Sequence, residues 1–280
     1  MRLLGIRRGA KYSPNLVDSD AAIFNKVAYD LREMGHEVDV IDETGMRDAD
    51  YDRYDRIFGM ERDMETVAWV NDNVSEENRT KFLNTISGIM TCTMKGRVCM
   101  MMKEMGIPQP HYEYTEGGKA CVSAYGQAEY PVWVKNGMSS AVTTSDTVYC
   151  KDGNDVRSSE KDLMQRGADA WLVQEHMRGD LIKFYGVEGT DFFHWQYASS
   201  GHSKFGLESI NGKEKGYGFD PLSIKTAIDR LAEKIGVPIY GGDAIIDADG
   251  HFYVIDFNDF PSFSSCRNEA ARAIAARIVK

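Results

Sequence analysis

The stretch YVIDFNDFP, residues 253 to 261, carries an apolar run into an aspartate, Asp256, and places an asparagine, Asn258, two residues further on. Side chains two apart on a strand leave the same face. Upstream, GGDAII holds Asp243, and the DADG between the two segments contains the Asp-Gly pair of a tight hairpin turn. Asp243 and Asp256 lie about equally far from that turn. Pairing the strands around it sets the two aspartates opposite each other, with Asn258 next along the same face. Two carboxylates and an amide oxygen are hard donors of the kind that hold Mg²⁺ while phosphates and waters complete its octahedron. Each aspartate taken singly reads as a strand-end or edge hydrogen-bonding group. All three together read differently, because burying two like charges costs several kcal/mol unless a cation pairs with them.

Cations suited to a phosphate occur elsewhere in the chain. Lys135 ends the apolar segment YPVWVK, Lys95 lies inside the methionine-rich SGIMTCTMKGRVCMMMKEM, and Lys183 follows Gly179 and Asp180 at the start of a strand. An ammonium directed out of apolar surroundings meets a phosphate as a point charge. Singly, each reads as a solvated or snorkelling lysine, and the methionines read as a packed helix face. His194 and His202 are candidates for substrate binding or acid-base work against the plainer reading of packed or surface histidines.

The elements that must position these groups follow from periodicity. Leu3 to Ile6 is a short strand, Ile23, Val27 and Leu31 mark a helix that stops at Gly35, and EVDVID and DRIFGME are further strands. This pattern predicts a partly parallel α/β sheet ending near residue 83. Residues 87 to 105 read as one helix before Gly106 and Pro108. YPVWVK and DTVYC read as two strands, EKDLMQRGA as a helix, and WLVQEHM, LIKFYGVEG, DFFHWQYAS and HSKFGLES as strands. Helix PLSIKTAIDRLAEKIGV, the hairpin, and helix SCRNEAARAIAARI close the chain. The expected fold class is α/β followed by α+β, in three lobes around one cleft, sharing cores.

Composition excludes several classes. A chain of 280 residues exceeds the usual size of one simple domain. Hydrophobic residues at 42% and charged ones at 27% are globular values, and no run approaches the roughly 18 apolar residues of a membrane span. MRLLGIRRGA has too short an apolar run for an export signal. Five cysteines, at 92, 99, 121, 150 and 266, show no CxxC pair and suggest free thiols in a reducing cytoplasm. A net charge of -10 argues against nucleic acid as a partner.

From about residue 84 onward the chain resembles the ATP-grasp superfamily, and the first lobe is compatible with that family's N-terminal α/β domain. Four stretches carry the resemblance: NTISGIMTCTMKGRVCMMMKEMGIPQP, YPVWVK, WLVQEHMRGDLIKFYGV and GGDAIIDADGHFYVIDFNDFP. It implies an N-terminal domain over 1–83, a central subdomain over 84–175 and a C-terminal subdomain over 176–280, with the nucleotide between the last two. It further implies that Lys95 and Lys135 hold the phosphates of ATP, that Gln174, Glu175 and Met177 line the adenine edge, and that Asp180 contacts the ribose. Asp243, Asp256 and Asn258 would bind Mg²⁺, and Lys183 and Lys204 would face the γ-phosphate or the acceptor. In place of the family's glycine-rich phosphate loop stands NGMSSAVTTSDTVY, so Ser139 and Ser140 are candidates to replace backbone contacts.

For the acceptor there are two candidate walls. Arg7, Arg8, Lys11 and Ser13 follow the first strand, where ligands of open α/β sheets tend to sit. Phe260, Ser262, Ser264 and Arg267 follow the hairpin, Arg267 being either a bidentate anion contact or a surface partner of Glu269. The activity the resemblance implies is a carboxylate-amine ligase acting on a small molecule or peptide, without membrane or nucleic-acid partners. GDLIKFYGV and VIDFNDFP also resemble the inositol-phosphate kinase branch, so a small-molecule kinase is the alternative, and a nucleotide-binding protein without turnover is a third reading.

Overall fold

A computed structural model of the chain describes residues 1–13, 16–121, 130–138, 143–200 and 206–280. Strand β1 (Arg2–Arg7) buries four consecutive residues, Leu3 to Ile6, because both faces of its sheet are covered. With β2 (Glu37–Asp42) and β3 (Arg56–Gly59) it forms a wholly parallel sheet in the order β2-β1-β3. Helix α1 (Val17–Glu33) crosses from β1 to β2 and buries Ile23, Phe24, Val27 and Leu31. It stops where Gly35 turns the chain with φ 85°, a left-handed value that suits glycine. Helices α2 (Met64–Asn73) and α3 (Glu76–Arg79) follow β3. Val67 and Val70 of α2 pack beneath the opposite face of the sheet against Leu4, Ile6 and Ile57.

The methionine-rich stretch forms two helices where periodicity predicts one. Helix α4 (Ile86–Thr93) ends at Met94, and α5 (Lys95–Glu104) starts immediately afterwards. The hydroxyls of Thr91 and Thr93 donate to the carbonyls of Ser87 and Met90, the local competition that weakens a helix at its end. Lys95 thereby becomes the first residue of a new helix.

The middle sheet has the order β4-β7-β5-β6 and is antiparallel throughout: β4 (Tyr112–Glu116), β5 (Val132–Asn136), β6 (Thr147–Cys150) and β7 (Ala170–Glu175). Helix α6 (Gly153–Gln165) begins well before the expected EKDLMQRGA, capped by the Asp152 carboxylate, which accepts from the amides of Asn154 and Asp155. Val156 and Leu163 pack on Val132, Val134 and Trp171.

The third sheet, order β11-β10-β8-β9, joins β8 (Asp180–Val187), β9 (Phe193–Tyr197), β10 (Ile239–Ile246) and β11 (Phe252–Asp259). HSKFGLES does not form a strand over its described part. Residues Leu207–Asn211 make a short 3-10 helix bounded by Gly206 and Gly212, whose positive φ angles interrupt an extended chain. Helix α7 (Pro221–Ile235) buries Ile224, Ile228 and Leu231 on one face of this sheet, and α4 and α5 share that core through Cys92, Val98 and Met102. Helix α8 (Arg267–Ile278) returns to the first lobe and packs on α1. The three sheets therefore share cores, as expected for lobes built around one cleft.

A buried side chain fastens the hairpin to this frame. The amide of Asn84 donates to the carbonyl of Ile239 and accepts from its N–H, both at 2.9 Å. Asn84→Ala leaves two buried backbone groups without partners, an expected loss of about 2 to 4 kcal/mol that a urea titration reads directly.

Candidate active site

A cavity of about 350 Å³ opens between the middle and third sheets and beneath the loops that follow β1 and β3. Its floor is set by strand register. Asp243 on β10 pairs with Asp256 on β11 and with Lys183 on β8, so the three side chains form one row across three strands. In the next row, Gly241 separates Asn258 from Tyr185. The ladder shifts between Asp243 and Ala244, a bulge of the kind that re-aims side chains beside active sites. Glycine is required at 242, where a Cβ would lie 2.2 Å from the carbonyl oxygen of Asp256.

Three lysines reach this floor from three different elements. Lys95 donates to Oδ1 of Asp256 at 2.5 Å and to Oδ1 of Asn258 at 3.0 Å. Asn258 Nδ2 in turn donates to Oδ2 of Asp256 at 2.8 Å. Lys135, at the end of β5, donates to Oε1 of Gln174 at 2.7 Å and crosses to the carbonyl of Ile255 at 2.9 Å. Lys183 stands 3.5 Å from Oδ1 of Asp243 and 3.2 Å from Oε1 of Glu208.

The two facing carboxylates have opposite electrostatic settings. Burial drives both towards the neutral form. At Asp256 the positive charges of Lys95 and Lys135 outweigh it and hold the carboxyl below its ordinary range. At Asp243 burial prevails over Lys183, with the Asp256 charge adding to it, so that carboxyl is raised. Burial lowers Lys135, while Lys183 is raised, chiefly by Asp243. The carboxylates keep 30% and 27% of their side-chain surface exposed at Asp243 and Asp256, enough to meet a ligand in the cavity. Three oxygen donors on one face, with ammonium groups ranged around them, fit a hard divalent ion bound with a polyphosphate.

Away from the charges the cavity is lined by Trp133, His176, Met177, Leu181, Ile245 and Ile255, with Gln174 and Glu175 at its edge. Trp133 Nε1 donates to Nδ1 of His176 at 3.1 Å, bracing two rings of that wall. A flat heterocycle fits such an end. Trp133 was legible in principle, since it lies two residues before Lys135 on the same strand face.

The loops proposed from sequence as acceptor walls differ from expectation in detail. Arg8 points inward, donating to the carbonyls of Met60 and Phe260, both at 2.9 Å, and to Oδ2 of Asp20 at 3.0 Å, where Ser13 also donates at 2.6 Å. Arg7 is exposed over the ring of Phe24, and Lys11 lies over Tyr12. Arg62, which sequence reasoning missed, pairs with the side chain of Asp259 and donates to its carbonyl at 3.0 Å. The rule that points to the loop after β1 points equally to the loop after β3, where Arg62 lies. Ser262 and Ser264 also line the cavity. Glu208 carried no sequence signal.

Two candidates are corrected. Asp180, expected at a ribose, is buried, and its carboxylate accepts the backbone N–H groups of Lys215, Gly216 and Tyr217 at 2.6, 2.8 and 2.9 Å. Its oxygens anchor a loop. Arg267 begins α8 and does not line the cavity, and Glu269 pairs with Arg272 at 3.8 Å. Ser139, Ser140, His202 and Lys204 lie outside the described residues.

No family model matches the chain, and no curated protein matches it. Solved structures do. A RimK-domain ATP-grasp protein from Sphaerobacter thermophilus aligns at TM-score 0.68 and 16% identity over 100% of both chains. A D-alanine–D-alanine ligase from Bacillus anthracis, complexed with ATP, aligns at 0.68 and 12% over 100% of this chain and 94% of that one. The corresponding ligase from Coxiella burnetii gives 0.70 and 11% over 100% and 96%. The chain has the ATP-grasp fold, with its α/β and α+β parts. At such identities the likeness carries the architecture, and the chemistry must be argued from this chain's own side chains.

One buried group beside the site is outside its contacts. Glu61 is enclosed, neither carboxylate oxygen has a side-chain hydrogen-bond partner among the described residues, and burial, with Asp259 and Glu43 adding, pushes its carboxyl up to about 8. Between the ordinary range and about pH 8 the folded chain keeps a proton that the unfolded chain has lost, so stability falls as pH rises, by up to about 1.4 kcal/mol per pH unit. Glu61→Gln should flatten that slope, read from urea midpoints at a series of pH values across the window. An unchanged slope would locate the pH dependence elsewhere.

Proposed function

We propose that the protein is an ATP- and Mg²⁺-dependent ligase, which activates a carboxylate as an acyl phosphate and joins it to an amine or similar nucleophile, releasing ADP and phosphate. The observation that carries the reading is the meeting of Lys95, Lys135 and Lys183, from three elements, with Asp243, Asp256 and Asn258 on one cavity floor. Phosphoryl transfer needs charge neutralisation and positioning more than a protein nucleophile, and this floor offers both.

The roles follow from place. Asp243, Asp256 and Asn258 would hold Mg²⁺, which when bound neutralises and orients the phosphate oxygens. Lys95 and Lys135 grip the phosphates, and Trp133, His176 and Met177 enclose the base, with Gln174 and Glu175 at its edge. Lys183, beside Asp243, faces the γ-phosphate or the acceptor. Lys204 keeps that role only on the sequence resemblance. The substrate, a small molecule or peptide, enters at the end framed by Arg8, Arg62, Ser262 and Ser264, where paired guanidinium groups and hydroxyls face the cavity.

The test is a pooled metabolite incubation with ATP and Mg²⁺, read by mass spectrometry. A ligase gives ADP, free phosphate and a product lighter than its two substrates by one water. A stable phosphorylated product without free phosphate overturns the ligase in favour of a kinase. Asp256→Asn keeps the shape and removes one ligand's charge, so turnover should fall by about 100-fold or more while the melting transition stays cooperative. Near-normal ATP consumption in that variant would remove the metal assignment. Lys135→Met should weaken nucleotide binding measured by calorimetry.

A further inference from the structure

Lys95 occupies the atoms that a metal would use. Its ammonium bonds Oδ1 of Asp256 and Oδ1 of Asn258, two of the three oxygens in the candidate metal set, and the Asn258 amide engages the other oxygen of Asp256. The other lysines differ. Lys135 rests on neutral acceptors, Gln174 and the Ile255 carbonyl, and Lys183 sits between Asp243 and Glu208. Lys95 and a divalent ion cannot both hold the same lone pairs. The two oxygens are fixed in β11, whereas the ammonium ends a flexible four-carbon stem on the first residue of α5, so the lysine is the partner that can leave.

We propose that Lys95 is a displaceable counter-ion, holding Asp256 and Asn258 in the nucleotide-free protein and yielding them when the metal arrives with a polyphosphate that accepts the released ammonium. The inference rests on the nucleotide reading above. A bare ion would have to strip Asp256 of its partner and leave a largely buried ammonium unpaired, which is strongly unfavourable. A metal-polyphosphate complex supplies new acceptors in the same event. Metal and nucleotide therefore bind with positive coupling, which is reciprocal between the two ligands, and one side chain carries it.

The probe is Mn²⁺, with the free ion counted by electron paramagnetic resonance against the full-length protein without nucleotide. Lys95→Met should bind Mn²⁺ at least about tenfold more tightly than the wild type, since an opposite charge at this range alters a carboxylate's competing equilibria by about one to three powers of ten. The same variant should bind a non-hydrolysable ATP analogue more weakly and lose the mutual enhancement between analogue and Mn²⁺. Lys135→Met removes a nearby charge that does not touch the two oxygens and should gain less, and Lys95→Arg should gain nothing. Should Lys95→Met fail to fold, Lys95→Gln reads the same quantity. Equal gains in the Lys95 and Lys135 variants, or none in Lys95→Met, overturn the counter-ion while leaving nucleotide binding by the wild type untouched. A wild type that binds Mn²⁺ and no analogue overturns the nucleotide reading itself, and the hand-over with it.

Discussion

Two carboxylates directly opposite each other on neighbouring strands are the constraint around which this molecule is arranged. Asp243 and Asp256 share a register position in a sheet whose other face is a packed core. Like charges so placed destabilise the pairing unless cations answer them. The answering groups come from far apart in sequence: Lys183 from the adjacent strand, Lys95 from a helix start, and Lys135 from the end of a strand in another sheet. Each has its own reason to be where it is, and the three sheets must be held in one relation for all of them to arrive.

That relation comes from cores that ignore lobe boundaries. Helices α4 and α5 precede the middle sheet in the chain yet pack on the third, beside α7, which is what brings Lys95 to β11. Helix α8 leaves the third sheet and closes the core of α1 with the first. Between them the chain turns at Phe260 and Phe263, whose φ angles of 23° and 47° are unusual for non-glycine residues and whose rings are fully buried. Packing holds those strained residues, and strain of this kind gathers next to working sites. Arg8 and Arg62 complete the seam by bonding backbone carbonyls of Phe260 and Asp259 from the first lobe.

The hairpin was the most legible part of the sequence because its information is local. An Asp-Gly turn at 249–250 predicts Asp243 opposite Asp256, and that pair forms, but the ladder beside the turn runs one residue off this register, with Ile246 opposite Phe252, and the bulge between Asp243 and Ala244 restores it. Lys135 was legible for a related reason, being the polar end of an apolar strand. The break at Met94 was not, since it depends on threonine hydroxyls competing for carbonyls within a stretch whose apolar spacing is helical throughout. Asp180 misled because an acidic residue after a glycine looks the same whether it meets a ligand or three backbone amides of a loop 35 residues away. Glu208 reaches the site through tertiary packing alone, and no local pattern reports such an arrival, whereas Arg62 lies where the strand-end rule could have pointed.

The unequal setting of the two aspartates has a chemical meaning. If both carboxylates were equally charged and equally paired, the floor would be a symmetrical cation site with no preferred order of filling. Instead, Asp256 is kept ionised by two lysines, while burial and its charged neighbour push Asp243 towards its neutral form. On the proposed reading, a cation that approaches with its own phosphate oxygens would relieve both conditions together: it would favour the charged form of Asp243, and its phosphates would take up the ammonium groups that hold Asp256. A cation without phosphates would relieve only the first. Selectivity for the complex over the bare ion would then arise in the pairing of acids with lysines, before any contact with base or sugar contributes.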